Sequence, residues 1–109
     1  TQINDRLEEE LFQYCINGPQ AKERRQIATG ACLTEEGFHF FRFQSFIDHL
    51  GNSWKIPEEK IAQKLKDRCK VEFNVSLNVD GKTVKVCKVK QLEIKQIEHK
   101  VTEKAKNNY

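Results

Sequence analysis

The sequence has no methionine, one tryptophan, two prolines and five glycines among its 109 residues. With 38% apolar and 32% charged residues, it is typical of a folded globular protein rich in surface charge, and disorder is expected only at the ends. The length suffices for one domain and is too short for two. Because the chain begins at Thr1 and lacks methionine, we expect it to be a piece of a longer protein.

Motifs for metal binding and for membrane insertion are also lacking. The four cysteines, at positions 15, 32, 69 and 87, form no C-x-x-C pair and no cluster with histidine at zinc spacing. We predict buried thiols in a reducing compartment, with a disulfide pair as the alternative, and neither a metal nor a cofactor. No stretch approaches the ~20 apolar residues of a membrane span, and no signal-peptide pattern is present, so we expect an intracellular protein, cytoplasmic or nuclear, with no membrane partner.

The sequence shows no catalytic constellation. His39, His49 and His99 fall in three separate elements, and the cysteines have no adjacent base. The stretch 29–31 is not a phosphate loop, because it has neither a glycine-rich repeat nor a following Lys-Ser/Thr pair. We therefore predict a protein that is not an enzyme and has no catalytic residues.

Charge is distributed unevenly along the chain. Residues 1–54 carry five Lys/Arg against eight Asp/Glu, whereas residues 55–109 carry fourteen against eight. This asymmetry favours contact between the second half and a polyanion or an acidic surface. The alternative is a lysine-rich face whose only role is solubility.

Residues 71–90 contain the clearest local pattern, a two-stranded hairpin. Apolar residues alternate with polar ones up to Asp80-Gly81, a pair suited to a two-residue type I′ turn. This turn sets the register of the two strands. On one face, Val79 is predicted to pair with Lys82, Leu77 with Val84 and Val75 with Val86. On the other face, Asn78 is predicted to pair with Thr83, Ser76 with Lys85 and Asn74 with Cys87. A slip of one residue would mix the faces, so turn and pattern agree.

Other periodicities predict the remaining elements. In chain order these are a helix over about 4–16, a short helix within 19–28, a strand over 38–43, a helix over 45–50 capped by Ser45, a central helix over 57–70 and a final helix over about 92–106. Phe38 and Phe40 face one side of the strand, and His39 and Phe41 face the other. We expect the phenylalanines in the core, with an aromatic platform for stacking bases as the alternative, and His39 on the less buried face.

The central helix has one apolar stripe and one basic side. Ile61, Ala62, Leu65 and Cys69 form the stripe, and the opposite side carries Lys60, Gln63, Lys64 and Asp67, with Lys66 and Lys70 nearby.

Residues 37–90 resemble the winged-helix superfamily, in which a small strand precedes a helix-turn-helix and a hairpin forms the wing. The resemblance rests on 38–43 as the strand, 45–50 and 57–70 as the two helices, and 71–89 as the wing. It implies an α+β fold, a winged helix-turn-helix with extra N-terminal helices and a C-terminal helix. The single domain over 1–109 would comprise a helical part (1–36), the winged-helix core (37–90) and a C-terminal helix or tail (91–109).

This resemblance implies a nucleic-acid-binding module, with DNA as the partner. The helix 57–70 would lie in the major groove, and the wing 71–90 would touch the backbone. Base edges would be met by Lys60, Gln63 and Lys64, and phosphates by Lys66, Lys70, Lys82, Lys85 and Lys88. Because the region has one arginine, Arg68, and two acids, Glu58 and Glu59, at the end nearest DNA, backbone contacts should outweigh base reading. This interpretation requires that the lysines of helix and hairpin face one continuous surface.

The same arrangement is similar to winged domains appended to replication proteins such as phage and plasmid primase-helicases, which suggests part of a larger replication or regulatory protein. The alternative is a winged-helix domain for protein-protein interaction or oligomerisation through the C-terminal helix. It is motivated by Ile94, Ile97 and Val101, which recur at i, i+3 and i+7. That helix would fold back on the first helix, pair with a copy of itself, or join the domain to a larger chain.

Overall fold

The computed structural model describes residues 3–52 and 54–107, with side chains described over 6–52 and 54–100. In chain order the elements are α1 (Ile3–Phe12) with a π-helical turn (Gln13–Asn17), β1 (Gln20–Ala21), a 3₁₀ helix (Arg24–Thr29), β2 (Cys32–Glu35), β3 (Phe38–Phe41), α2 (Phe43–Leu50), α3 (Glu58–Cys69), β4 (Glu72–Val79), β5 (Lys82–Lys90) and α4 (Gln91–Asn107). The predicted α+β class is confirmed.

One sheet of five strands organises the fold, in the order β1-β2-β3-β5-β4. β1 runs parallel to β2, and the other neighbouring pairs are antiparallel. β1 and β2 are not among the elements that the sequence predicts. Strands of two and four residues are too short to show a recognisable alternation of apolar and polar residues. They are defined by pairing across the sheet, as between Leu33 and Phe40. The turn between β2 and β3 is confined to Glu36 (φ 52°) and Gly37 (φ 84°).

The predicted hairpin is confirmed, with its register intact near the turn. Val79 pairs with Lys82, Leu77 with Val84, Val75 with Val86, and the polar pairs Asn78 with Thr83 and Ser76 with Lys85 lie between them. The turn residues Asp80 and Gly81 have φ values of 52° and 82°, as a type I′ turn requires. The predicted pairing of Asn74 with Cys87 is wrong, because the register shifts between Glu72 and Val75. Asn74 has a φ of 57° at this bulge.

Each side of the sheet has its own apolar cluster. The helices cover one side, where Phe41, Phe46 and Leu65 are fully buried. The other side carries a smaller cluster of Ile27, Leu33, Phe40, Leu77 and Val86, which the 3₁₀ helix covers. We call these the helix side and the far side of the sheet. The predicted short helix within 19–28 is therefore a 3₁₀ helix over Arg24–Thr29 that closes the far side.

Arg24 ties this 3₁₀ helix to two strands. Its guanidinium pairs with Glu35 on β2, and its Nη1 donates to the backbone oxygen of Asn78 on β4 at 3.0 Å. The Arg24 guanidinium keeps the pKa of the Glu35 carboxyl below its usual range. Arg24 therefore has a structural role, because its guanidinium links the 3₁₀ helix to β2 and β4.

Two local predictions are wrong. His39 was expected on the less buried face but is 3% exposed, because it shares with Phe41 the side of β3 that faces the helix-side core. Its Nδ1 lies 2.8 Å from Thr34 Oγ1, which satisfies the buried ring. Ser45 was expected to cap a helix over 45–50, but α2 begins at Phe43 with Arg42 at the cap position and no side-chain cap hydrogen bond. α2 ends at Leu50, the predicted last residue, and Gly51 follows it with a φ of 78°.

The C-terminal helix α4 packs against α1 within the same chain. Ile94 is fully buried and Ile97 is 5% exposed, both within the helix-side core. The side chain of Val101 lies outside the described residues. Two of the three residues that motivated the oligomerisation hypothesis are therefore already covered, as in the alternative in which this helix folds back on the first.

The cysteines behave as predicted: all four are free thiols and all four are buried. Within the described residues, no helix has the combination of length and apolar character needed to cross a membrane.

Candidate nucleic-acid interface

Burial of one stripe determines which side chains α3 exposes. Ile61, Leu65 and Cys69 are almost completely buried, as the sequence predicts. The helix begins after Pro57 with Glu58 and Glu59 in its first turn, where the helix dipole favours acids. It ends at Cys69, and the next residue, Lys70, has the left-handed φ of 60° and turns the chain toward β4. The basic side of α3 is therefore joined to the hairpin without a linker.

The eight predicted contact residues are accessible to different degrees. Six are exposed, namely Lys60, Gln63, Lys66, Lys70, Lys82 and Lys85, and two are half-buried, Lys64 and Lys88. They do not share one surface, contrary to the expectation of a single continuous plane.

The lysines of α3 lie on two flanks of the helix. Residues in a helix are separated by about 100° around its axis, so Lys64 and Lys66 lie roughly 200° apart. The flank of Lys64 faces α1, because Arg68, one turn further on, places its Nε 3.8 Å from Glu8 Oε1. Lys66 faces the hairpin, with its Nζ 5.2 Å from the ring centroid of Phe73 on β4.

Gln63 lies on the exposed face of α3, and its side-chain amide is hydrogen-bonded to a neighbouring residue. Its Nε2 donates to both carboxylate oxygens of Asp67, at 3.0 and 3.1 Å. This pairing engages the amide that was predicted to meet a base edge. The Asp67 carboxylate also adds a negative charge where a phosphate would approach.

The hairpin lysines divide between the two sides of the sheet. Side chains alternate along β5, so Lys85 lies on the side of Cys87, whereas Lys82 and Lys88 lie on the side of Val86. Cys87 belongs to the helix-side core and Val86 to the far-side cluster. Lys85 therefore shares the helix side with Lys66, and Lys88 does not.

On the helix side, α3 and the hairpin form a strip of basic and polar residues. Lys66 lies over Phe73, whose ring is 5.3 Å from Phe43 at the start of α2. Further along β4, Ser76 lies on the same side and its Oγ accepts a 2.7 Å hydrogen bond from Lys85 Nζ. We call the surface formed by Lys66, Phe73, Ser76 and Lys85 the helix-side strip.

A second basic site lies on the opposite side of the sheet, at the end where β4 begins and β5 ends. It is a concave pocket of about 300 Å³ lined by Phe38, Lys70, Glu72, Lys88, Lys90 and Glu93. Lys70 and Lys88 were predicted as phosphate contacts, but Phe38 and Lys90 were not. The signal that could have found Lys90 is its alternation with Lys88 about Val89, which places both lysines on one side of β5. We call this site the sheet-end pocket.

The buried polar residues form a structural cluster of their own. Cys32 Sγ lies 4.0 Å from His39 Nδ1. A hydrogen bond from Cys15 and the nearby His39 lower the pKa of Cys32, while that hydrogen bond and burial raise the pKa of Cys15. Burial raises the pKa of the Tyr14 hydroxyl, which donates to the Gly30 backbone oxygen. In the described part of the chain, no three His, Cys, Asp or Glu side chains are arranged to hold a metal ion.

Comparison of this chain with protein-family models, with curated protein sequences and with solved structures finds no match.

Proposed function

We propose that this domain is a nucleic-acid-binding module that contacts DNA mainly through the phosphate backbone. The observation that carries the proposal is the junction of α3 and the hairpin on one side of the sheet, where Lys66 and Lys85 flank Phe73 and Ser76. Two ammonium groups on adjoining elements, with an aromatic ring and a hydroxyl between them, suit the repeated negative charge of a backbone.

The order of the elements supports a winged helix-turn-helix arrangement. From β3 to β5 the chain runs strand, helix, helix, strand, strand, and β3 pairs with β5. In that arrangement α3 would be the helix that approaches the groove, and β4 with β5 the wing. A role within a larger replication or regulatory protein would follow from the same resemblance.

Charge and hydrogen bonding on α3 argue for positioning contacts rather than base reading. Glu58 and Glu59 are exposed at the start of the helix, and Gln63 is engaged with Asp67. Carboxylates in the first turn of α3 repel phosphate, and a side-chain amide that is already hydrogen-bonded is poorly placed to pair with adenine. We therefore propose binding with little dependence on sequence, centred on the C-terminal half of α3 and the hairpin.

A charge-reversal titration tests the proposal. We expect Lys66→Glu combined with Lys85→Glu to weaken binding to a short duplex by about tenfold or more at low salt, because two phosphate contacts become repulsive. Fluorescence anisotropy with a labelled duplex of random sequence measures the affinity. Duplexes of different sequence should lose affinity to a similar extent.

Lys95→Glu with a second reversal, Lys55→Glu, provides the matched control. Lys95 is exposed on α4, which packs against α1, and Lys55 is exposed before the start of α3. This variant has the same net charge as the double strip variant, so a general loss of attraction would affect both equally. Equal losses in the two variants, or no duplex binding by the unaltered protein at low salt, would refute the proposed surface.

A further inference from the structure

The sheet-end pocket combines the aromatic ring of Phe38 with charged side chains of both signs. Three lysines and two glutamates surround about 300 Å³ of space beside Phe38. Across the strands, Phe38 lies opposite Lys90, and Glu72 lies opposite Lys88. Among the described residues, no ion pair joins the three lysines to the two glutamates. The pocket thus holds ammonium and carboxylate groups that have not neutralised one another.

Phe38 presents a ring that is only partly covered. It is half-buried, and its centroid is 6.3 Å from that of Phe40. The ammonium of Lys88 lies 4.0 Å from the centroid of Phe38, a cation–π contact on the ring face. Lysine side chains are flexible, so this ammonium can leave the ring for a phosphate while a planar group takes its place.

Resting on the proposed nucleic-acid binding, we propose that the sheet-end pocket accepts one unpaired nucleotide of a single strand. The base stacks on Phe38, its phosphates meet Lys88 and Lys90 or Lys70, and the N–H groups of its edge donate to Glu72 or Glu93. Stacking on an aromatic side chain beside a positive groove is the general means of holding a single strand. The two carboxylates find donors on a base edge, whereas they would repel an acidic peptide.

Geometry separates this ligand from a duplex. The pocket lies on the far side of the sheet, and the helix-side strip lies on the other side, so one straight duplex on the strip does not reach Phe38. Bases within a duplex are already stacked and paired, whereas an unpaired base has a free face and a free edge. The two sites together would suit nucleic acid in which a duplex adjoins an unpaired strand.

The test compares a short labelled oligothymidylate with an abasic strand of the same length. We expect Phe38→Leu to weaken oligothymidylate binding by about tenfold, the effect of losing one stacked base, and to leave abasic binding unchanged. Lys90→Gln should weaken both strands by about threefold, because it removes a phosphate contact. Lys95→Gln, on α4 and outside both the pocket and the helix-side strip, is the control and should not alter oligothymidylate binding.

The outcomes distinguish this inference from the proposed function. If the protein binds duplex but Phe38→Leu and Lys90→Gln both bind oligothymidylate as the unaltered protein does, the pocket assignment fails and the strip stands. If oligothymidylate binding depends on Phe38 but duplex binding is absent, the strip fails and the pocket stands. Should Phe38→Leu unfold, Lys90→Gln and the abasic comparison still decide, because equal affinity of the unaltered protein for both strands excludes stacking.

Discussion

Individual side chains reach positions that depend on neighbours distant in sequence. Lys64 and Lys66 are two residues apart, yet one faces α1 and the other the hairpin. His39 lies on the side of the sheet that the helices cover, and Thr34, on a strand too short to be predicted, gives its buried ring a hydrogen-bond partner. The types of these residues could be read from the sequence, but their surroundings are set by tertiary packing. This is why the candidate lysines were found and their division between two sides of the sheet was not.

We predict that the four thiols are protected in the native protein. All are buried, and burial raises the pKa of Cys69 and of Cys87 to about 12, so neither is ionised near neutral pH. A chromogenic disulfide reagent should report no rapidly reacting thiol in the folded protein and all four in concentrated guanidinium chloride. One thiol that reacts rapidly under native conditions would contradict the packing described above.

The same thiols give stability a dependence on pH. Because folding raises the pKa of Cys69 and Cys87 above the ordinary value of 9.0, their contribution is complete below that value and is lost as the pH rises above it. We expect the free energy of unfolding to fall by at most about 1.4 kcal/mol per pH unit for each thiol above pH ~9. Chemical denaturation of Cys87→Ala should show a shallower decline than that of the unaltered protein.

Asn74 carries the bulge that separates the two parts of β4. Its φ of 57° lies in the left-handed region, which asparagine tolerates and β-branched residues do not. We expect Asn74→Val to lower the free energy of unfolding by about 1–3 kcal/mol and Asn74→Gly to change it by less than about 1 kcal/mol. Urea denaturation of both variants measures the difference, and equal destabilisation would argue against the bulge.

Elements with strong local signals were predictable, and elements defined by pairing were not. The hairpin β4-β5 combines alternation with an Asp-Gly turn, so its register followed from a few residues. α3 followed from its apolar stripe. β1 and β2 owe their strand character to hydrogen bonds with β3 and with each other. In the sequence, the alternation of apolar and polar residues continues through Asn74. No local residue forces the register to shift, so the bulge could not be predicted.

The C-terminal helix α4 is expected to stabilise the fold of its own chain. Ile94 is fully buried in the helix-side core, so Ile94→Ala should lower the free energy of unfolding by about 2–5 kcal/mol. Leu92, which is 62% exposed on the same helix, provides the control, and Leu92→Ala should cost less than about 1 kcal/mol. Denaturation measures both, and a small effect of Ile94→Ala would show that α4 is not docked on α1.

For the whole molecule, dividing the lysines between two sides changes the expected salt dependence. Five phosphate contacts on one plane would give a slope of log K against log[salt] near −4.5, at about −0.9 for each contact. The helix-side strip offers two lysines, Lys66 and Lys85, because Lys82 and Lys88 lie on the far side. We therefore predict a slope of about −2 for a short duplex, measured by anisotropy over a range of salt concentrations. A slope near −4.5 would indicate that both sides of the sheet engage the duplex at once.

Amide chemical-shift mapping with a short random-sequence duplex tests most directly whether α3 and the hairpin bind nucleic acid on the helix side of the sheet. We predict that the largest shifts at low salt fall within residues 65–70 and 76–85 and that they diminish as salt is added. Shifts confined to α1 and α4, or no shifts at low salt, would contradict a binding surface built from Lys66 and Lys85.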